Sequence, residues 1–362
     1  MISFELSEEQ RVAQATIGEF ARSVLRPAAR EADQSSRLDP ATLQAIWSTE
    51  IIQAQAIEGD AETGRSPVMN ALLLEELAAA DATLALAVAV PMAFVQAIAD
   101  QGSRHQRELL LPLFSGDRFA AAAIALMEPQ FQFDVTTLTT SAERSGDGYV
   151  LHGRKSLVPL AGDCSHFLVV ARSDGAADAF IVPRDTAGVR VGAAKGTLGL
   201  RGLAMADVEF DGVSVPATMR LGEHNGCDVQ RIIDASRTAI AAILTGMSRG
   251  VLEYCVPYLK ERVVHGVPLA RKQVIAFRLA DMHIEVEAMR WMSWRAAWEL
   301  EDKRSATRSA QLAYSYAATQ AMSIADEGVQ AFGGHGFVRA HPIEMWYRNA
   351  RSLSLLEGIA GV

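Results

Sequence analysis

The chain is poor in cysteine, in positive charge and in long apolar runs, and each shortage narrows what it can be. Its three cysteines, Cys164, Cys227 and Cys255, show no pairing motif and no metal-ligand spacing. So sparse and odd a set argues against a disulfide framework and suits a reducing compartment. The formal net charge of −9 leaves no basic footprint, which excludes nucleic acid as the expected partner. An anionic ligand would need Arg or Lys concentrated locally against this background. The N-terminus, MISFELSEEQ, lacks the basic and then apolar pattern of a signal peptide. One segment, residues 82–99, approaches membrane-spanning length. Pro91 and Gln96 interrupt it, and Asp81 and Asp100 bracket it. A buried helix, apolar all round, accounts for it better than a membrane span. A soluble, cytoplasmic protein is expected.

What is present is a hydrophobic content of 49% over 362 residues, enough for a sizeable core in two or three domains. Ser7 followed by Gln10 forms a capping box that opens the first helix, and helical composition continues to about Leu113. From Phe119 to Pro216, short runs rich in β-formers lie between turn signals, with Ser145-Gly146-Asp147-Gly148 as a hairpin turn. Their spacing predicts an antiparallel sheet or small barrel. After Pro216 the helical period returns, and residues 229–260, 270–301 and 304–332 each predict a long amphipathic helix of a bundle. The expected fold is mainly α with a central β domain. Residues 1–118 form a helical domain, 119–219 the β domain and 220–362 a C-terminal helical bundle.

Three motifs invite chemistry and resist it. Gly246-Met247-Ser248-Arg249-Gly250 matches the G-x-S-x-G nucleophile elbow, but the run before it has helical rather than strand spacing. Close helix packing is the better reading. Gly196, Gly199 and Gly202 lack the strand and helix around them that a dinucleotide fingerprint requires. His335 and His341 have no carboxylate or cysteine at ligand spacing, so no metal site is expected.

Two clusters carry more. One is Lys260-Glu261-Arg262 with His265, Gly266, Pro268-Leu269 and Gln273. The other is Gln330 with Phe332-Gly333-Gly334 and Gly336-Phe337, then Arg348-Asn349-Ala350 and the closing Leu355-Leu356-Glu357-Gly358. Alone, each reads as a charged helix end or a glycine turn closing a helix. Together with Phe4–Gln10, Gly102-Ser103, Leu110-Leu111-Pro112, Met127-Glu128-Pro129 with Asp134, and Val215-Pro216, they run in order along essentially the whole chain. In this order they resemble the acyl-CoA dehydrogenase family.

The resemblance implies FAD as cofactor, an acyl-CoA thioester as substrate and a trans-2-enoyl-CoA as product. It implies an electron-transfer flavoprotein as acceptor and a homo- or hetero-oligomer. Glu357 falls where many members carry the base that removes the α-proton, and Leu353, Leu355 and Leu356 suggest an apolar setting for it. Arg262, His265, Gln273, Gln330, Gly333 and Gly334 match contacts to a neighbouring subunit's FAD. Met127, Leu157 and Pro159 match contacts to the chain's own FAD. Asp234 and Arg237, spaced D-x-x-R, match positions that meet the acyl-CoA arm.

The sequence departs from the family in places. Gln130-Phe131-Gln132-Phe133 stands where the first flavin loop has small residues, and Leu157-Val158-Pro159 where the second flavin strand has Trp-Ile-Thr. Pro159 also lacks a backbone donor. The aromatic of the Arg motif is His265, and the last helix that usually follows the catalytic Glu is missing. These departures predict bulk in the flavin or acyl site. They leave open a heteromeric dehydrogenase subunit with little FAD of its own, or a non-dehydrogenase of the same fold.

Overall fold

A computed structural model describes residues 5–56, 65–131 and 133–362. Phe4 of the opening motif and Gln132 of the altered loop lie outside the described residues.

The first third is helical. It comprises α1 (Glu8–Phe20), α2 (Arg26–Ser35), α3 (Pro40–Trp47), α4 (Ile51–Ala54), α5 (Pro67–Ala80), α6 (Ala82–Gln101) and α7 (Arg104–Leu110). Local chemistry starts these helices. Ser7 and Gln10 make the expected capping box, and Ser103 with Gln106 repeats it at α7. Asp39 before Pro40 and Ser66 before Pro67 pair a capping side chain with a proline at the first turn, where a missing N–H costs nothing. Buried Asp81 caps α6, and burial pushes its carboxyl up to about 6.

The middle third holds β1 (Ala121–Ala125), β2 (Ser141–Ser145), β3 (Gly148–Val158), β4 (Cys164–Ser173), β5 (Ala176–Pro183), β6 (Val189–Val191) and β7 (Ala206–Pro216). The β2–β3 hairpin turns where Gly146 predicts, with Ser145 facing Gly148. The purely antiparallel expectation needs correction, because β4 pairs in parallel with both β1 and β2. The reason is topological. Neither β1 nor β2 is joined to β4 by a tight turn, and only a tight turn obliges neighbouring strands to run antiparallel.

The last third is a helical bundle of α8 (Val229–Glu261), α9 (Gln273–Glu301), α10 (Thr307–Phe332) and α11 (Ile343–Leu353), with a small hairpin of β8 (Val263–Val264) and β9 (Val267–Pro268). Among the described residues two helices, α6 and α8, are long and apolar enough to cross a membrane by length and composition. Most of each apolar window, 94% and 72%, is covered by the rest of the chain, so both serve as core.

The G-x-S-x-G motif lies inside α8, as its spacing suggested. A Cβ at Gly246 would come within 2.1 Å of Glu75 O, and one at Gly250 within 2.4 Å of Ala79 O. The glycines therefore let α8 touch the backbone of α5. Ser248 is buried and donates to Leu244 O within its own helix. Gly199 and Gly202 likewise admit close packing, against Arg348 of α11 and against Ala32, Leu38 and Thr83.

Candidate active site

Residue 357 lies where three parts of the fold meet. α11 ends at Leu353, and a turn then delivers Glu357 to the end of β1 and the flank of α8. Its carboxylate receives Arg237 Nε at 2.5 Å, both side chains being mostly buried. Its backbone N–H points at Met127 Sδ, 3.4 Å away. The turn is pinned by Tyr314 of α10, whose hydroxyl donates to Ser354 O and Leu356 O at 3.2 and 3.1 Å. Burial and then the nearby Glu357 charge push the Tyr314 phenol up, so it stays a neutral donor. Gly358 follows at φ +70°, where a Cβ would lie 2.3 Å from Leu126 Cδ2. Only glycine suits that position.

The surroundings of Glu357 differ from the apolar setting its leucines suggested. Leu353 and Leu356 are buried, but Leu355 faces solvent, and the nearest partner is a guanidinium. Arg237 and Asp234 also part company. Asp234 turns inward and accepts from Gln230 Nε2 and Thr307 Oγ1, each at 2.7 Å, which ties α8 to the start of α10. Asp134 lies within electrostatic reach of Arg237, and the N–H and hydroxyl of Thr136 hold its carboxyl below the usual range, with Arg237 adding to that.

Beneath this site is a buried ion pair that sequence reasoning missed. Lys155 on β3 places Nζ 2.8 Å from Glu128 Oε1 and 3.0 Å from Leu126 O, with no exposed side-chain surface on either partner. Glu128 also accepts from Thr139 N, Thr139 Oγ1 and Thr140 N at 2.6–2.9 Å. Burial draws Lys155 down to about 8, against the opposing pull of Glu128. Burial would raise Glu128, but Lys155 and the threonine donors outweigh it and bring it to about 2. Both groups are charged at neutral pH. The available signal was a lysine in line with Tyr149 and Leu151 on the buried face of β3.

Phe131 of the altered loop does not fill the site as its bulk suggested. Phe131 is fully exposed, Phe133 is half-buried against the core, and Gln130 Nε2 reaches Glu128 Oε2 at 3.1 Å. Leu157 is half-buried with φ +55°, and Pro159 is buried. Neither carries a polar side chain.

The remaining candidates gather at the far end of the bundle. Arg262 caps α8, and His265 and Gly266, both at positive φ, make the two-residue turn of the β8–β9 hairpin. Gln273 opens α9, while Gln330, Gly333 and Gly334 close α10. Tyr258 stacks on Phe332 at 3.9 Å, and its hydroxyl meets His335 Nδ1 at 2.9 Å, which brings the two motifs side by side. His341 meets Tyr254 OH at 3.0 Å, so both histidines belong to an aromatic cluster. No metal-binding group of His, Cys, Asp or Glu occurs among the described residues.

All six bundle-end candidates are exposed, and space is open around Gly333 and Gly334. Arg262 forms no ion pair among the described residues, and its planar fork suits a diphosphate. The donor set therefore fits the diphosphate end of FAD, and Met127 offers apolar surface beside Glu357. The two sets are far apart. Arg237 and Arg262 are 25 positions apart on one helix, roughly 37 Å at 1.5 Å per residue.

Comparison with known proteins follows the same division. Residues 7–117 match the acyl-CoA dehydrogenase N-terminal domain, 123–213 its middle domain and 227–362 its C-terminal domain. The chain is 30% identical over 369 residues to the short-chain specific acyl-CoA dehydrogenase of Homo sapiens mitochondria, covering 99% of this chain and 89% of that protein. It is 30% identical over 363 residues to cyclohexane-1-carbonyl-CoA dehydrogenase of Geobacter metallireducens, covering 98% and 95%. Butyryl-CoA dehydrogenase of Megasphaera elsdenii superposes with a TM-score of 0.89 at 28% identity, covering 98% of this chain and 95% of that one.

Proposed function

This chain belongs to the acyl-CoA dehydrogenase family, a family of FAD-dependent oxidoreductases, and from that premise we propose that it oxidises a short acyl-CoA to the trans-2-enoyl-CoA with Glu357 as base. The observation that carries the reading is the placement of Glu357, pinned by Tyr314, paired with Arg237 and set against Met127. FAD, when bound, supplies the two-electron acceptor for the β-hydrogen. The residues of the chain do the rest. Glu357 takes the α-proton, and the α-carbon electron pair forms the new double bond as the β-hydrogen leaves with its electrons. Arg237 orients the carboxylate through a charge-assisted hydrogen bond. Among the described residues the Glu357 N–H is held only by a thioether, a weak acceptor, so it is the donor available to the thioester carbonyl as negative charge develops there.

The separation of the two cofactor sets along α8 supports a shared arrangement, in which Arg262 and Gln330 serve a neighbouring subunit's FAD and Met127, Leu157 and Pro159 the chain's own. Asp234, turned inward, holds α8 in place for the acyl-CoA arm rather than meeting it. An electron-transfer flavoprotein is the proposed acceptor, and the cytoplasm the proposed location. The absence of polar side chains at Leu157 and Pro159 favours a second reading, a heteromer whose partner chain supplies the better FAD site.

Replacing Glu357 with Gln keeps the shape and removes the base. Bleaching of bound flavin by butyryl-CoA should slow by about 10²–10⁴-fold, the usual contribution of a positioned general base. Bleaching near the wild-type rate would discard the assignment.

A further inference from the structure

One peptide group in the turn after α11 is held from both sides. It joins Leu356 to Glu357. On one side Tyr314 of α10 donates its hydroxyl to Leu356 O at 3.1 Å. On the other the Glu357 N–H points at Met127 Sδ, 3.4 Å away. Among the described residues no peptide bond is cis, and no second donor reaches Leu356 O. A trans peptide is planar, with its C=O and N–H pointing in opposite directions. A hydroxyl that fixes the oxygen therefore also fixes where the N–H aims. The same hydroxyl reaches Ser354 O at 3.2 Å, so one hydrogen serves two carbonyls of the turn.

Direction is half of the effect, and polarisation is the other half. A hydrogen bond accepted by an amide oxygen draws electron density towards that oxygen and makes the N–H of the same amide a stronger donor. Linked hydrogen bonds strengthen one another in this way by about 10–30% per bond. The gain grows with the charge on the acceptor beyond the N–H. A thioether there is a weak acceptor and yields its place readily. A thioester carbonyl would gain negative charge as the α-proton leaves, and an N–H aimed at it would then bind more strongly than in the ground state. Interactions of that kind raise kcat more than they tighten binding. The Tyr314 phenol suits the task, because burial and the nearby Glu357 charge keep it protonated and donating.

Resting on the dehydrogenase reading above, we propose that Tyr314 is a positioning residue for the reaction, aiming and polarising the Glu357 N–H through the Leu356–Glu357 peptide. It acts through that peptide and not by contact with the reacting atoms. The phenol on α10 thus links the helical bundle to the charge that develops on the substrate.

The test reads the substrate carbonyl itself, by infrared difference between butyryl-CoA and its form labelled with heavy carbon at the carbonyl, each bound to the holoenzyme. A Glu357→Gln background holds the substrate unreacted and keeps the backbone N–H. The hydroxyl at position 314 is then graded. Tyr314→Phe removes it, and a ring-fluorinated tyrosine at 314 makes it more acidic and a stronger donor. The carbonyl stretch should fall in frequency from the Phe variant to tyrosine to fluorotyrosine, an order that a merely packing role would not produce. With Glu357 restored, Tyr314→Phe should lower kcat for butyryl-CoA by about three- to tenfold and leave KM within about twofold. A carbonyl stretch that does not move across the series overturns the proposal, as does a Phe variant with the wild-type kcat. Should Tyr314→Phe fail to fold, the shift between tyrosine and fluorotyrosine alone decides. If butyryl-CoA bleaches no flavin when Glu357 and Tyr314 are both intact, the dehydrogenase reading itself falls, and this inference with it.

Discussion

The bundle end around Arg262 and the β corner around Glu128 both carry motifs that resemble flavin contacts, yet one is bare and the other is filled. At the bundle end, Arg262, Gln273 and Gln330 are exposed, and open space surrounds Gly333 and Gly334. At the β corner, Glu128 is bound by Lys155, Thr139 and Thr140, and Leu157 and Pro159 have no polar group to give. The difference separates two uses of charge. Charge at the bundle end is free to meet a ligand, whereas charge at the β corner is consumed in holding strands together.

Removing charge from the filled corner should therefore damage the fold, and this is the largest expected effect. Lys155→Met strands a buried carboxylate and should cost about 3–5 kcal/mol of stability, read from urea unfolding. Adding Glu128→Gln should restore much of it. A loss below about 1 kcal/mol would mean that water reaches Glu128 and that the corner is not closed. The bare end should respond in the opposite way. Arg262→Ala should weaken FAD binding by about ten- to a hundredfold, the worth of a charged hydrogen bond, without moving the unfolding midpoint of the FAD-free chain. Unaltered FAD affinity in a calorimetric titration would remove the bundle end from the cofactor's path. The smallest effect sharpens the contrast. Pro159→Thr offers a hydroxyl where none exists and should tighten FAD by about two- to tenfold. Weaker binding would show that the buried proline ring contributes more by packing than a hydroxyl does by bonding.

The legibility of this fold in its sequence followed the range of the interactions. Ser7 with Gln10, the buried helix over 82–99 and the three long bundle helices depend on neighbours a few positions away, and periodicity reveals them. The parallel pairing of β1 with β4 was not legible, because strand patterns do not encode which strands become neighbours. Arg237 and Glu357 were each found, but their contact spans 120 positions and no local signal joins them. Tyr314 left no trace at all, since a tyrosine at a helical spacing reads as core. The bulk of Phe131 was visible, but its outward direction was not, because composition gives volume without orientation. The site was therefore legible as a set of residues and not as an arrangement.

The contact of Gly246 and Gly250 with α5 has a mechanical consequence. α8 is a rod about 50 Å long, and its backbone rests on α5 at those two glycines as on a fulcrum. Arg237 lies nine residues to one side, about 14 Å along the rod, and Arg262 sixteen residues from Gly246 on the other, about 24 Å. An alanine at Gly246 would add a wedge of one carbon at the pivot. The displacement would grow along both arms, reaching the Arg237 end and the Arg262 end in opposite senses. A single methyl group, placed where no ligand comes, would thus misalign both proposed sites at once.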